Sequence, residues 1–235
     1  MSGTHSPVPA PAGRARIPTS AALALAAAVL TGVLWTIGWL PAMDRVSGDV
    51  LVRTDGTRGT TAVPVAAVLI DDAAVARFGP LPWPRERLAA VVDAVRTAGA
   101  HAVVIDLVLS EPGEPEGDAA LARALNGGPT ALAAAFDGEG QWLLPLPGFG
   151  GRDAAAHAYG EVGPDGVVRT FAATKQAGNL SLPALSLAAA RLLRPAIPVT
   201  PGGELRPGFR PAPQNLPAFS AAAAIEDTIP GDRIR

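Results

Sequence analysis

The sequence predicts an α/β fold: a mixed central sheet with a βαβ unit, flanked by helices and preceded by one N-terminal transmembrane helix. Residues 63–70 and 102–109 are short, nearly continuous apolar runs, which are typical of strands buried on both faces. Between them, residues 85–98 carry apolar side chains three and four positions apart, as an amphipathic helix does. Near the N-terminus, an uncharged apolar segment is long enough to cross a bilayer.

The N-terminal region divides into a polar tail and this apolar segment. Residues 1–16 are rich in Pro, Ser, Gly and Ala without periodicity, which predicts a disordered cytoplasmic tail. Residues 17–43 contain no charged side chain and predict a single-pass membrane anchor. Because Arg14 and Arg16 precede the anchor, the positive-inside rule places residues 44–235 outside the cytoplasm. A cleaved signal peptide and a buried core helix are the alternatives.

Composition removes several classes of function. The net charge is −2, and no basic field points to nucleic acid. The chain has no cysteine, which excludes disulfides, thiolate nucleophiles and cysteine metal sites. The three histidines, His5, His101 and His157, are too scattered to make a metal set. No Gly-rich phosphate loop, serine elbow or zinc spacing is found, so we expect no cofactor.

The elements after residue 43 follow in order. Residues 47–61 are polar and rich in Gly and Thr, which predicts a connector or a loose hairpin. The strand over 63–70 comes next, then the helix over 85–98 with Gly99 at its C-terminal end, then the strand over 102–109. This strand–helix–strand order predicts parallel strands joined by a right-handed crossover.

The second half of the chain predicts shorter elements. Asp118 is the expected N-cap of a helix over residues 118–125. The remaining expectations are strands over 129–136 and 141–146 around a turn at 137–140, a hairpin of 158–162 and 166–172 around a turn at 163–166, a helix over 182–193 stopped by Pro195, a proline-rich loop over 195–217 and a short helix over 219–225.

Polar side chains collect at the carboxyl ends of the two clearest strands, where ligands bind in open α/β sheets. Asp71 and Asp72 follow the first strand, and Asp106 lies near the end of the second. Arg85 begins the intervening helix, and helix N-termini attract anions. One interpretation is a crevice that binds a hard cation such as Mg²⁺ or Ca²⁺. We favour a structural interpretation, in which Asp71 or Asp72 caps a local turn and Asp106 pairs with Arg85.

The stretch GPLPWPRERL, residues 79–88, precedes the predicted helix. Pro84 suits the first helical position, and Pro82 keeps Trp83 extended, so that Arg85 is directed to the carboxyl edge of the sheet. Trp83 is expected to cover the hydrophobic core rather than to stack on a ligand.

Several short motifs occur together from residue 46 to the end of the chain. They are Ile70, Asp71 and Asp72; Gly79 with Pro82, Trp83, Pro84 and Arg85; Gly99 and Ala100; Asp106; Glu111 and Pro112; Asp118 and Leu121; Gly160; and Asp165, Gly166 and Val167 followed by Arg169. In combination they resemble the type-2 CHASE domain, where CHASE stands for cyclases/histidine kinases associated sensory extracellular. The resemblance implies an N-terminal membrane helix, an extracytoplasmic α/β sensor, further membrane helices and a cytoplasmic cyclase, kinase or diguanylate cyclase output.

The sequence departs from that family at its end. The closing strand with its Ile-Gly pair, the later membrane helices and the output domain have no counterpart in it. We therefore expect residues 44–235 to be a type-2 CHASE-like sensor domain whose C-terminal end is missing. A fragment and a gene that has lost its effector are both compatible with this expectation.

The function that the sequence predicts is a membrane-anchored extracytoplasmic sensory domain of a bacterial-type signal transduction protein, without catalysis of its own. Its candidate ligand residues are Asp71, Asp72, Trp83, Arg85, Asp106 and Arg169, with no catalytic residue and no metal. The expected partners are the membrane and an unknown extracytoplasmic small-molecule or protein stimulus; a homodimer is left open.

Two alternatives belong to other classes. The first is a Mg²⁺-dependent phosphoryl-handling or receiver-like domain that uses Asp71, Asp72 and Asp106, with the single lysine, Lys175, after a late strand. The second is a passive domain that binds the cell wall or a partner and transmits no signal.

Overall fold

The structure is a computed structural model that describes residues 18–55, 65–137, 139–198, 202–205 and 217–226. The chain divides into two units, residues 1–56 and 57–235.

Two helices form the described part of the first unit. Helix α1, Thr19–Thr36, is long and apolar enough to span a membrane, and none of its residues is buried. Gly38 then takes a positive φ of 77°, which breaks the helix, and helix α2 follows over Trp39–Asp55. Helix α2 corrects the predicted connector or hairpin at residues 47–61, because residues 47–55 are helical. Residues 56–61 lie outside the described part of the chain.

The reason for this correction is the spacing of apolar side chains in α2. Met43, Val46 and Val50 recur at intervals of three and four residues, which is the period of a helix. This pattern continues the helix through Ser47 and Gly48, whose types favour a loop.

The central sheet of the second unit is organised around strand β3, Thr130–Phe136. Strands β2, Val103–Ile105, and β5, Ala155–His157, pair with β3 in parallel, and β4, Trp142–Leu143, pairs with it in antiparallel. Helix α5, Pro115–Asn126, connects β2 with β3. The βαβ unit of the fold is therefore β2–α5–β3.

This βαβ unit differs from the predicted one. The sequence predicted that the strands on either side of helix α4, Arg85–Thr97, pair with each other. Strand β1 is Ala67–Leu69, and its parallel partner is β11, Ala218–Ser220; among the described strands, β1 does not pair with β2. A partner so distant in sequence leaves no local signal near β1, whereas the next apolar run along the chain is a plain one.

The two predicted strands were also too long and too buried. The described part of the 63–70 prediction holds a strand of three residues, and so does the 102–109 prediction. Val68, Val103 and Ile105 pack against the core, whereas the alternating residues Leu69 and Val104 are exposed. Each strand is therefore buried on one face.

The main core lies between the sheet and four helices: α3, Asp72–Phe78; α4; α5; and α8, Ala221–Ile225. Its large buried members are Trp83, Leu88, Val92, Leu109, Leu121, Leu125, Leu132 and Phe149. The apolar stripe of α4 faces this core as predicted, and Gly99, with φ 101°, follows the end of the helix.

The second half of the chain combines two hairpins with short helices. A 3₁₀ turn at Pro147–Phe149 and helix α6, Gly151–Ala154, precede β5. The first hairpin joins β6, Glu161–Val162, to β7, Val168–Ala172, and β10, Glu204–Leu205, adds to β7. The second hairpin joins β8, Thr174–Ala177, to β9, Leu180–Pro183, and helix α7, Leu185–Leu193, follows.

Most predictions for this half have the right type and the wrong boundaries. The 129–136 strand and the hairpin around the turn at 163–166 are confirmed, but the first strand of that hairpin is only Glu161–Val162 and not 158–162. The 118–125 helix begins at Pro115, the 141–146 strand is only Trp142–Leu143, the 182–193 helix begins at Leu185, the 195–217 loop contains β10, and the 219–225 helix begins after β11. The late start of α7 has a physical cause, because Leu182 and Pro183 pair with β8.

Candidate functional site

Asp71 caps a helix immediately after β1. Its Oδ1 accepts a hydrogen bond from the backbone N–H of Ala74 at 2.9 Å and another from the Ser220 hydroxyl at 2.7 Å. The Ser220 hydrogen bond is the main cause that lowers the pKa of Asp71, and the Ala74 N–H acts in the same direction. Asp71 is thus the expected cap, and it also connects β1 to the end of β11.

The other two aspartates of the predicted crevice are exposed. Asp72 is the first residue of α3, and Asp106 follows β2. Within the described ranges, no group of three or more acidic or histidine side chains has an arrangement that could hold a metal ion. The structure therefore does not bring Asp71, Asp72 and Asp106 together as a cation site.

Arg85 pairs with Asp118, which corrects the predicted pair with Asp106. Arg85 Nε lies 3.5 Å from Asp118 Oδ1, and the two side chains are 18% and 20% exposed. A guanidinium N–H of Arg85 also donates to the carbonyl of Glu111 at 3.1 Å, and Asp118 Oδ2 accepts from the N–H of Gly113 at 2.8 Å. The cause is the packing of α4 against α5, which places the first turn of α5 beside Arg85.

Asp118 therefore has a different role from the predicted one. The N-cap of α5 is Glu114, and Asp118 lies one turn into the helix. From there its carboxylate accepts a hydrogen bond from the loop before α5 and pairs with the guanidinium at the start of α4.

Trp83 is a buried member of the main core, with 4% of its surface exposed. Its indole N–H donates to the carbonyl of Gly79 at 2.8 Å, and its ring packs edge-on against Phe78. The guanidinium of Arg87 lies 5.5 Å from the ring centroid. Pro84, which was predicted at the first helical position, is instead the N-cap of α4, and Arg85 is the first helical residue.

Arg169 is engaged within the β6–β7 hairpin. Its two terminal nitrogens lie 2.9 Å from the two carboxylate oxygens of Asp165. The Arg169 hydrogen bond is the main cause that lowers the pKa of Asp165 to about 2. Between them, Gly166 has a positive φ of 79°. These contacts hold Arg169 and Asp165 together across the hairpin turn.

Sequence reasoning missed a group of rings beside the carboxyl ends of β3 and β5. Phe136 stacks on Trp142 at 4.0 Å between centroids and lies 4.7 Å from Tyr159, and the ring of His157 is 6.3 Å from Trp142. The ammonium of Lys175 lies 5.1 Å from the Tyr159 centroid. We call these five residues the aromatic cluster.

The aromatic cluster was missed because its residues come from four separate segments: β3, β4, β5 with the residues just after it, and β8. Recognition of β5 as a parallel strand would have revealed it, since β3 ends at Phe136 and β5 ends at His157. The 158–162 prediction placed a strand immediately after His157 and left the histidine itself outside any element.

Comparison with protein families finds one match that covers nearly the whole chain: the model of the CHASE2 domain matches residues 22–234. No curated protein and no solved structure matches the chain.

Proposed function

Because the chain belongs to the CHASE2 domain family, a family of sensory domains, we propose that it is the membrane-anchored, extracytoplasmic sensor of a signal transduction protein. The family match over residues 22–234 is the observation that carries this proposal. In the proposal, the second unit receives a stimulus outside the cell or in the periplasm. A cyclase or kinase output then responds on the cytoplasmic side.

Helix α1 supports the anchor. It has the length and apolar composition of a membrane span, and no residue along it is buried against protein. Arg14 and Arg16 precede it, whereas the charges that follow, Asp44 and Arg45, are mixed in sign. This asymmetry favours a cytoplasmic N-terminus.

The proposed sensor binds its stimulus and does not transform it. Of the six candidate ligand residues, Asp71, Trp83, Arg85 and Arg169 make structural contacts within the domain. Asp72 and Asp106 are exposed at the carboxyl side of β1 and β2 and remain our candidates for ligand contact.

A pair of fusions tests the topology. We expect alkaline phosphatase, which folds only outside the cytoplasm, to be active when fused after residue 235, and green fluorescent protein exported to the same position to be dark. The matched control is the same pair fused after residue 16, where the activities are expected to be reversed. Fluorescence with no phosphatase activity after residue 235 would refute the extracytoplasmic assignment.

A further inference from the structure

His157 is a buried titratable residue with an incomplete set of hydrogen bonds. It is the last residue of β5 and is 1% exposed. Its Nδ1 accepts a hydrogen bond from the backbone N–H of Tyr159 at 3.3 Å, which assigns the ring proton to Nε2. Among the described residues, Nε2 has no hydrogen-bond partner. The site thus accommodates a neutral imidazole.

A protonated imidazole does not fit these contacts. Protonation places a proton on Nδ1, because both nitrogens of an imidazolium are donors. The N–H of Tyr159 would then face another donor instead of an acceptor. The ring would also carry a charge in a position that is only 1% exposed, which is costly.

Charges on the neighbouring elements do not remove this conflict. The nearest are Lys175 on β8, which disfavours a charged His157, and Glu161 on β6, which favours it. Lys175 Nζ lies 3.4 Å from Glu161 Oε1, and the two charges have opposite effects on the pKa of His157. Burial is the largest influence and lowers the pKa of His157, and the carbonyl of Ala172 opposes it in part.

Within the described ranges, Glu161 is the acid whose charge acts on His157, and the other elements packed against β5 add none to it. Strands β3 and β9, which pack against β5, carry no titratable side chain. Helix α7 carries Arg191, which donates to the carbonyl of Ile197 at 3.4 Å. On β7, Arg169 is paired with Asp165.

We propose that His157 is a proton-sensitive switch, so that acidification of the surroundings is a stimulus that this domain reads. Protonation breaks the contact with Tyr159 and loosens the aromatic cluster. The backbone of His157 also bridges to Ala184, the N-cap of α7, so the change extends to that helix. The inference rests on the proposed function, since only a domain outside the cytoplasm meets the pH of the surroundings.

The direction of the pH effect is fixed. We call the arrangement in which His157 accepts from Tyr159 closed, and the state in which this contact is broken opened. A histidine in an unfolded or opened state has a pKa of about 6.5. Burial makes the pKa of His157 in the closed arrangement lower. The opened state therefore binds more protons as the pH falls. The closed arrangement keeps its full stability above about pH 6.5 and loses it progressively below that value.

Hydrogen exchange of the full chain in lipid nanodiscs tests the switch. Protection is measured at pH 7.5 and 5.0, corrected for the intrinsic exchange rate, in peptides that cover β3 to α7. In the wild type we expect protection around β5 and β8 to fall by about tenfold at pH 5.0. In His157→Asn we expect no such fall, because the amide oxygen replaces the Nδ1 acceptor and does not titrate.

His101→Asn is the matched control, because it removes an exposed histidine; it is expected to behave as the wild type. Equal protection at both pH values in the wild type, or a fall that persists in His157→Asn, would overturn the proposal. If His157→Asn does not fold, NMR titration of the wild-type imidazoles decides: a His157 midpoint at or above about pH 6.5 also overturns it. A failed fusion experiment would refute the extracytoplasmic location and leave this measurement valid.

Discussion

Arg85 and Asp118 join the start of α4 to the first turn of α5. About four-fifths of each side chain is buried, so removal of the carboxylate leaves a poorly solvated guanidinium. We expect Asp118→Asn to lower the free energy of unfolding by about 1–3 kcal/mol. Chemical denaturation followed by circular dichroism measures the change.

Asp106→Asn is the matched control for this prediction. Asp106 is exposed after β2, and we expect the substitution to change the free energy of unfolding by less than about 0.5 kcal/mol. A larger loss for Asp106→Asn than for Asp118→Asn would restore the pair that the sequence suggested and contradict the observed contact.

The β6–β7 hairpin depends on a left-handed turn residue. Gly166 has φ 79°, which an L side chain rarely adopts, although a Cβ there would meet nothing within 4 Å. We expect Gly166→Ala to lower the free energy of unfolding by about 1 kcal/mol through backbone strain alone. Gly148→Ala is the control, because Gly148 lacks a positive φ and its added Cβ would lie 3.9 Å from Ala122. Thermal melts that rank the two variants in the opposite order would contradict this reading of the turn.

Elements with local signals were predictable, and elements with distant partners were not. The hairpin follows from the turn residues at 163–166, and α4 follows from its apolar spacing and Gly99. The partner of β1 is the last described strand, and no residue near β1 encodes that choice. The same limit applies to the site: the Asp71 cap is local, whereas the Arg85 partner and the aromatic cluster arise only from tertiary packing.

At the scale of the whole molecule, the buried core found among the described residues belongs to the second unit. Every buried residue of the three described core clusters lies between residues 74 and 222, and α1 contributes none. We expect residues 57–235 to unfold cooperatively on heating, with the same midpoint as this unit in the full chain.

A shorter chain, residues 57–216, is the control for this prediction. It lacks β11 and α8. The buried Ala221 and Ala222 are therefore missing, and so is the Ser220 hydroxyl that donates a hydrogen bond to Asp71. We expect no cooperative melt from it. A cooperative melt of residues 57–216 would show that the core does not need β11 and α8. A much lower midpoint for residues 57–235 than for this unit in the full chain would show that residues 1–56 stabilise the core.

The parallel pair of β1 and β11 also sets the order in which the domain matures during synthesis. Asp71 and Ser220 are 149 residues apart, and so are Arg77 and Glu226, which join α3 to the end of α8. At about 5–20 residues per second, a ribosome needs roughly 7 to 30 s to make the chain between them. Throughout that interval, the apolar side chains Val68 and Ile70 remain without the strand and helix that cover them. The first strand of the domain to emerge is therefore among the last to gain its partners, and its apolar side chains stay uncovered longest.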